Sequence, residues 1–582
     1  MTDSRQLSPT STLHDPDHRS SALEKVDLAE KGSAAPYEGQ GTTESPFIVK
    51  FLDGEQANPQ NWSKTKKWTI TANSAISTLC IAFGSSVVSA AIPDLTVVFH
   101  KDLTVLTLSV SLYVLGFALG PLLWAPFSEQ WGRRPIFIIT YALFAIFNIP
   151  CALANNVETL LICRFLAGFF GSSPLTNSGG VISDMFSASE RALAVSLYAA
   201  APFAGPVLGP IVGGFMIMNV EWRWIFWVLV IFSFVMLFSG SLNPETYAPV
   251  LLRRRAARLE KETGKVHRSM YDLHPMFSAP FAVKMKAALL RPFLLLIKEP
   301  ICLLFALYCA VIYGTLYCFF GAFPLVFEYA RGWSPGVSGL AFIPVGLGML
   351  SAIIANVFDN KRYVRKLIAN GGNPLAPEER LPLCCVAGVV LPVGLFAFAW
   401  TTLPHVHWIA SMIFSVFFGF SMVAIFLSML TYLVDAYLLM AASALAANAV
   451  MRSLVGFAFP LFTHQMFTAM GNQWALTLIA FITLAMAPIP FVFYRYGPQI
   501  RARSTFAPQH KPTPAPAPAA PESSAPGSTV VSRTASRTFS REDIEREDVE
   551  NMDLRQTESR REELAELERE GIDVHAAKAG RS

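Results

Sequence analysis

Between Trp68 and Tyr496 the chain alternates long apolar runs with short polar breaks. The runs are 68–92, 105–127, 135–154, 158–182, 191–218, 222–242, 301–327, 336–358, 382–402, 406–434, 439–468 and 473–496. Each is about 20 residues or longer, enough for a helix to cross a hydrocarbon core ~30 Å thick. The pattern predicts an all-α polytopic membrane protein with twelve transmembrane helices. Six runs precede a polar segment and six follow it, which predicts two six-helix pseudo-repeat bundles. The expected organisation is an N-terminal tail, 1–67; bundle 1, 68–242; a central loop, 243–300; bundle 2, 301–496; and a C-terminal tail, 497–582. Both tails read as disordered. Residues 1–60 are rich in Ser, Thr, Asp and Gly, residues 507–528 are rich in Pro, Ala and Ser, and 541–570 is crowded with Glu and Arg.

Composition sharpens this reading. Of 582 residues, 53% are hydrophobic and only 15% charged, and the mean hydropathy is +0.41. That balance excludes a soluble enzyme, a secreted disulfide scaffold and a nucleic-acid binder. The eight cysteines all fall in or beside apolar runs and lack metal-ligand spacing, so they read as small buried residues. No metal or cofactor is expected, and no nucleophile–base constellation or nucleotide-binding loop is visible. The first 67 residues are polar, so the first span is expected to act as the internal signal.

Charge sets the expected orientation. With a cytoplasmic N-terminus, the inner loops hold Lys64, Lys66, Lys67, Arg133, Arg134, Arg191, eleven cations of the central loop and five of the 359–381 loop. The opposite loops hold Lys101, Arg223 and Arg331. Both termini are therefore predicted to be cytoplasmic, in the plasma membrane. Asn61-Trp62-Ser63 would then lie on the wrong side for glycosylation.

Three local patterns carry chemistry. After the second run, Glu129-Gln130-Trp131-Gly132-Arg133-Arg134-Pro135 predicts a tight cationic hairpin in which Glu129 pairs with the arginines or with a neighbouring helix end. In the fourth run, Arg164 is an intramembrane cation that must face protein or a hydrated cavity. In the fifth, Gly205, Gly209 and Gly213 fall on one helical face, with Pro206, Pro210 and Gly214 beside them. That face predicts close backbone packing.

These patterns resemble the major facilitator superfamily: its loop between spans 2 and 3, its span-4 arginine motif and its span-5 antiporter motif. Asn58-Pro59-Gln60-Asn61-Trp62, Glu221-Trp222-Arg223-Trp224 and Asn243-Pro244-Glu245-Thr246-Tyr247 narrow the resemblance to the twelve-span fungal drug:proton antiporters, over roughly residues 55 to 498. The chain departs from the family in having Glu129 where Asp is usual and Ala125 where Gly is usual. The resemblance implies export of small apolar or amphipathic molecules, xenobiotics or secondary metabolites, by proton antiport and alternating access. The expected partners are a small-molecule substrate, protons and lipid, with the chain acting as a monomer. Arg133 and Arg134 would latch the inward-closed state, and the 205–214 helix would seal the bundle interface.

In the second half, Asp359 and Arg362 read as a degenerate copy of the cationic turn. Arg452, with Asn448 one turn before it, lies mid-span in the eleventh run. No carboxylate is deep in any run; Asp94 and Glu328, near the outer mouth, are the candidates for proton coupling beside Arg164. Tyr113, Phe117, Tyr198, Tyr313, Tyr317, Phe319 and Phe320 are candidates for an aromatic cavity lining. Two alternatives stay open at this point: an uptake carrier of the same fold, and an uncoupled exporter of organic acids that the arginines attract.

Overall fold

The computed structural model describes residues 37–504, apart from 53, 274–279, 371–374 and 438–439. The tail readings for 1–36 and 505–582 lie outside the described residues. Among the described residues, twelve helices are long and apolar enough to cross a membrane. Spans 1 to 6 are Lys64–Phe99, Leu103–Trp131, Arg133–Ala152, Val157–Met185, Leu197–Asn219 and Arg223–Ser241. Spans 7 to 12 are Pro300–Tyr329, Pro335–Ala369, Pro382–Thr401, Trp408–Tyr437, Ala441–Met470 and Asn472–Arg501. An even number of crossings returns the chain to the side on which it began, called here the tail side. The other is the far side.

Local signals start these helices. Ser63 accepts a hydrogen bond from the Lys66 N–H at the start of span 1, and Asn156 caps span 4 through the Thr159 N–H at 2.8 Å. Inside each bundle, alternate helices cross with their backbones in contact. A Cβ on Gly168 would strike the Tyr113 carbonyl of span 2, and one on Gly348 or Gly419 would strike the backbone between spans 8 and 10. The same close crossing thus recurs at equivalent places in the two halves, as the pseudo-repeat predicts.

The 205–214 stretch of span 5, expected at the bundle interface, packs against both bundles. Gly205, Gly209 and Gly213 abut Ala82, Ser86 and Val87 of span 1, within bundle 1. The other side of the helix meets bundle 2. There Pro210 and Val207 receive Gly339 and Gly346, and Gly214 lies on the Pro335 carbonyl. Span 5 therefore packs on both sides. Pro206 and Pro210 are accommodated inside the continuous helix Ala188–Asn219.

The N-terminal segment 1–67, expected to be wholly disordered, is folded in its described part. Strand β1, Phe47–Val49, pairs in parallel with β2, His267–Ser269, in the central loop. Tyr37 and Val49 pack on Leu252, Ala256 and Leu259 of a linker helix, Ala248–Thr263. Glu55 and Arg255 form a buried ion pair between tail and linker. A second, amphipathic helix, Phe281–Lys298, touches spans 2 and 11 and so bridges the bundles on the tail side. Its Phe281 ring stacks on Phe127 with centroids 5.5 Å apart. Val283, Leu290, Phe293 and Ile297 stay exposed on it, as suits a helix lying in a membrane interface. Residues 497–501 continue the last span rather than starting a disordered tail.

Candidate functional site

On the tail side, each bundle carries an arginine–carboxylate cluster. In bundle 1, Gly132 separates spans 2 and 3 with a φ of 107°, a conformation that disfavours any side chain. The Glu245 carboxylate occupies the space a Cβ would need. It accepts hydrogen bonds from the Arg133 N–H at 2.9 Å and the Arg134 N–H at 3.2 Å. An anion is thus held at the positive end of span 3. The Arg133 side chain reaches Asp184 at the end of span 4, with Nε 3.3 Å from Oδ2. It also donates from Nη1 to Ser128 at 2.7 Å and lies over the Tyr247 ring at 4.8 Å. Burial pushes the Tyr247 phenol above its ordinary range, so it stays neutral beside the cation. Arg134 donates to the Ser241 carbonyl at 2.9 Å.

The acid partners differ from those the sequence suggested. Glu129 is exposed and makes no hydrogen bond or ion pair among the described residues. Asp184 and Glu245, 51 and 112 residues from Arg133, take its place.

Asp359 and Arg362 do not form a turn. Span 8 runs as unbroken helix through them, and they pair within it at 3.0 Å. The counterpart of Arg133 in bundle 2 is Arg380, which bonds Asp435 at the end of span 10 at 2.9 Å and lies over the Tyr363 ring at 3.4 Å. In both bundles a guanidinium at or just before the start of the third helix thus reaches a carboxylate at the end of the fourth and an aromatic face. Both clusters stay within their own half.

On the far side, the halves are joined. The outer parts of spans 5 and 8 interlock through the glycine contacts above, and Gln465 of span 11 donates to Thr104 of span 2 at 2.7 Å. Deeper in, Tyr317 donates to Ser85 of span 1 at 2.9 Å and lies 3.3 Å from the Tyr313 hydroxyl. Glu328, half-buried in a π-helical end to span 7, sits beside Ser338 of span 8 at this closed mouth. Asp94 is exposed in the last helical stretch of span 1.

Two arginines occupy the interior. Arg164 is fully buried. Its Nε donates to the Ser109 carbonyl and its Nη2 to the Gly84 carbonyl, both at 2.8 Å, and its guanidinium lies 4.1 Å over Tyr113. It ties spans 1, 2 and 4 together, and among the described residues no carboxylate is its partner. Arg452 is part-exposed and packs between the rings of Tyr313, at 4.7 Å, and Phe426, at 4.9 Å. Among the described residues it has no hydrogen bond or ion pair, and its Nε is buried without a partner. Asn448 is 1% exposed; its amide meets no nitrogen or oxygen partner among the described residues and lies beside the Cys309 thiol.

Of the aromatic candidates, Tyr313, Tyr317 and Tyr198 lie near Arg452. Tyr113 is held in bundle 1, donating to the Ile81 carbonyl at 3.0 Å. Phe117 packs edge-on against Tyr113 there. Phe319 is core, packed on Phe398 and Phe418, and Phe320 leans on Phe342. Phe426, which faces Phe203 of bundle 1 at 5.4 Å, was not singled out by sequence. One phenylalanine among 45 carries no distinguishing signal.

This geometry matches what comparison with known proteins finds. Residues 74–460 match the model of the Major Facilitator Superfamily. The chain is 52% identical over 474 residues to a Trichophyton rubrum protein named "MFS-type efflux pump MFS2", covering 81% of this chain and 79% of that one. It is 48% identical to the "Major facilitator superfamily multidrug transporter mdrA" of Aspergillus fumigatus, with coverage of 81% and 78%. Among solved structures, the inward-open form of the xylose transporter XylE from E. coli aligns with a TM-score of 0.53 at 15% identity, covering 77% of this chain and 97% of that one. Helix count, pseudo-repeat, interior arginines and relatives agree: the chain belongs to the Major Facilitator Superfamily.

Proposed function

We propose that this protein exports small, apolar or amphipathic organic molecules from the cytoplasm by proton antiport and alternating access. The observation that carries the reading is the distribution of contacts between the halves. The bundles interlock directly at the far side, while on the tail side the pairs of Arg133 and Arg380 join helices of one bundle each and the interfacial helix Phe281–Lys298 lies across the two. Two units stiffened in this way can rock about the interior and open one mouth at a time. The tail side is read as cytoplasmic from its excess of Lys and Arg, and the membrane as the plasma membrane. The relatives named as efflux pumps support the direction of transport.

Glu328 is the group we assign to proton exchange from outside. It stands where span 7 meets span 8, beside the glycine contacts of span 5 that must part when the far side opens. A change in its charge there alters the hydration of the mouth directly. Arg133 and Arg134, held by Asp184 and Glu245, fix the inner end of bundle 1 as it moves. No enzymatic step is part of this reading.

Inside-out vesicles carrying the purified protein test it. Extracts of culture medium, profiled with and without the protein, supply candidate cargo. Uptake into vesicles acidified inside is expected to rise with the gradient, to stop with a protonophore, and to lose its gradient dependence in Glu328→Gln. Uptake that is indifferent to the gradient overturns proton antiport.

A further inference from the structure

Among the described residues, the interior holds two guanidinium groups, and neither has a carboxylate partner. Arg164 is compensated by two backbone carbonyls and the Tyr113 face. Arg452 has only the faces of Tyr313 and Phe426. An aromatic face attracts a cation, yet it supplies no acceptor for the N–H groups, and an intramembrane guanidinium without acceptors is costly. Asn448 adds an amide one turn away on the same helical face. Among the described residues, a cation and an amide that lack nitrogen and oxygen partners thus stand side by side where the two bundles meet, with the weakly bonding Cys309 thiol beside the amide.

The geometry points to an anion-binding subsite: Arg452 and Asn448 receive the carboxylate of a monoanionic organic cargo, and Tyr313, Phe426 and Phe203 hold its flat apolar body. The fork of Arg452 suits a bidentate carboxylate contact. The Asn448 amide can donate a further hydrogen bond to the same group. The Phe203–Phe426 contact spans the bundle interface, so cargo seated beside these two rings touches both moving halves. Above it, the Ser85–Tyr317–Tyr313 contacts close the far side. A neutral or cationic drug gains the ring contacts alone and leaves Arg452 unpaired.

This inference rests on the export reading for its biological sense, but it is tested by binding alone, without a gradient. The probes are 2-naphthoate and its uncharged analogue 2-naphthalenemethanol, titrated by calorimetry onto the full-length protein in nanodiscs. Wild type is expected to bind the carboxylate at least about tenfold more tightly than the alcohol. Arg452→Gln is expected to abolish that preference while keeping alcohol binding. Arg452→Lys should keep part of it, because the charge remains and the fork is lost. Asn448→Ala should reduce it, and Phe426→Leu should weaken both probes alike. Thermal melting of each variant confirms that it is folded.

Equal binding of both probes by wild type overturns the subsite, as does a carboxylate preference that survives in Arg452→Gln. Selective carboxylate binding together with gradient-indifferent export would leave the subsite standing and remove only proton antiport.

Discussion

Arg164 and Arg452 pose the same physical problem and receive opposite solutions. Each is an intramembrane arginine set against a tyrosine ring, one in each bundle. Arg164 is enclosed, with two carbonyl acceptors drawn from neighbouring helices. Arg452 is part-exposed and has no acceptor. Bundle 1 uses its cation as an internal tie among spans 1, 2 and 4. Bundle 2 leaves its cation available. The contrast teaches that the cost of a buried charge does not identify its role; the number of acceptors around it does. Arg164, with acceptors at Nε and Nη2 and only Nη1 left over, is tied into the scaffold; Arg452 has no such tie among the described residues.

The strongest way to break this comparison is to remove each arginine in turn. Arg164→Leu loses two charge-assisted hydrogen bonds and a cation–π contact, a loss of roughly 3 kcal/mol or more. Folded yield and melting temperature in detergent are expected to fall sharply, and transport to disappear with them. Arg452→Leu removes no hydrogen bond, so its melting temperature is expected to match or exceed wild type. Equal destabilisation by the two substitutions would make Arg452 a structural tie as well.

The tail-side clusters sharpen the comparison between bundles. Arg133 and Asp184 have side chains 12% and 13% exposed, against 22% and 27% for Arg380 and Asp435. Ion pairs weaken as water reaches them. Arg133 also lies in a network that includes Glu245, Ser128 and Tyr247. Arg133→Ala is therefore expected to slow transport by about tenfold and Arg380→Ala by about threefold, with 2-naphthoate binding unchanged in both. If binding falls as steeply as transport in Arg133→Ala, the cluster is shaping the cargo site rather than the motion.

Much of this architecture was legible because membrane crossing imposes length and apolarity on every span. The twelve spans, the glycine face of span 5 and both interior arginines follow from that constraint. Which helix the glycine face would meet did not follow, since close packing within a bundle and between bundles calls for the same small residues. The acid partners were hidden for another reason. Asp184 and Asp435 lie a whole helix pair away from Arg133 and Arg380, and only the fold brings the span ends together. The cationic turn expected at 359–362 fails for a cause that was visible: Phe358 to Tyr363 contains neither Gly nor Pro, and the helix continues. The N-terminal tail was the least legible part. A three-residue strand has no periodicity to detect, and it exists only because the central loop offers β2 and the linker helix.

That docked tail gives a smaller, local prediction. Glu55→Ala leaves Arg255 buried without its carboxylate, at a local cost of about 3 kcal/mol. Limited proteolysis within 37–61 is expected to accelerate, with the spans intact and transport reduced by less than in Arg133→Ala. Unchanged proteolysis would mean that the β1–β2 pairing and the apolar contacts of Tyr37 and Val49 hold the tail without the ion pair.

The smallest effect is expected at the residue the sequence marked most plainly. Glu129 sits four residues before Arg133 in a cationic turn, and proximity in sequence suggests a pair. The structure gives that role to Asp184 and Glu245, with Glu129 exposed at the end of span 2. An exposed carboxylate without a partner contributes little through its charge. Glu129→Gln is therefore expected to leave transport within about twofold of wild type, while Asp184→Asn, which uncouples Arg133 from span 4, matches the loss in Arg133→Ala. Initial export rates from reconstituted vesicles, measured at high and low salt, separate the outcomes. If Glu129→Gln instead stops export while 2-naphthoate binding persists, Glu129 must find Arg133 or a helix end in the other state of the cycle. The clusters of the two bundles would then differ in mechanism, bundle 1 exchanging acid partners as it moves and bundle 2 holding one throughout.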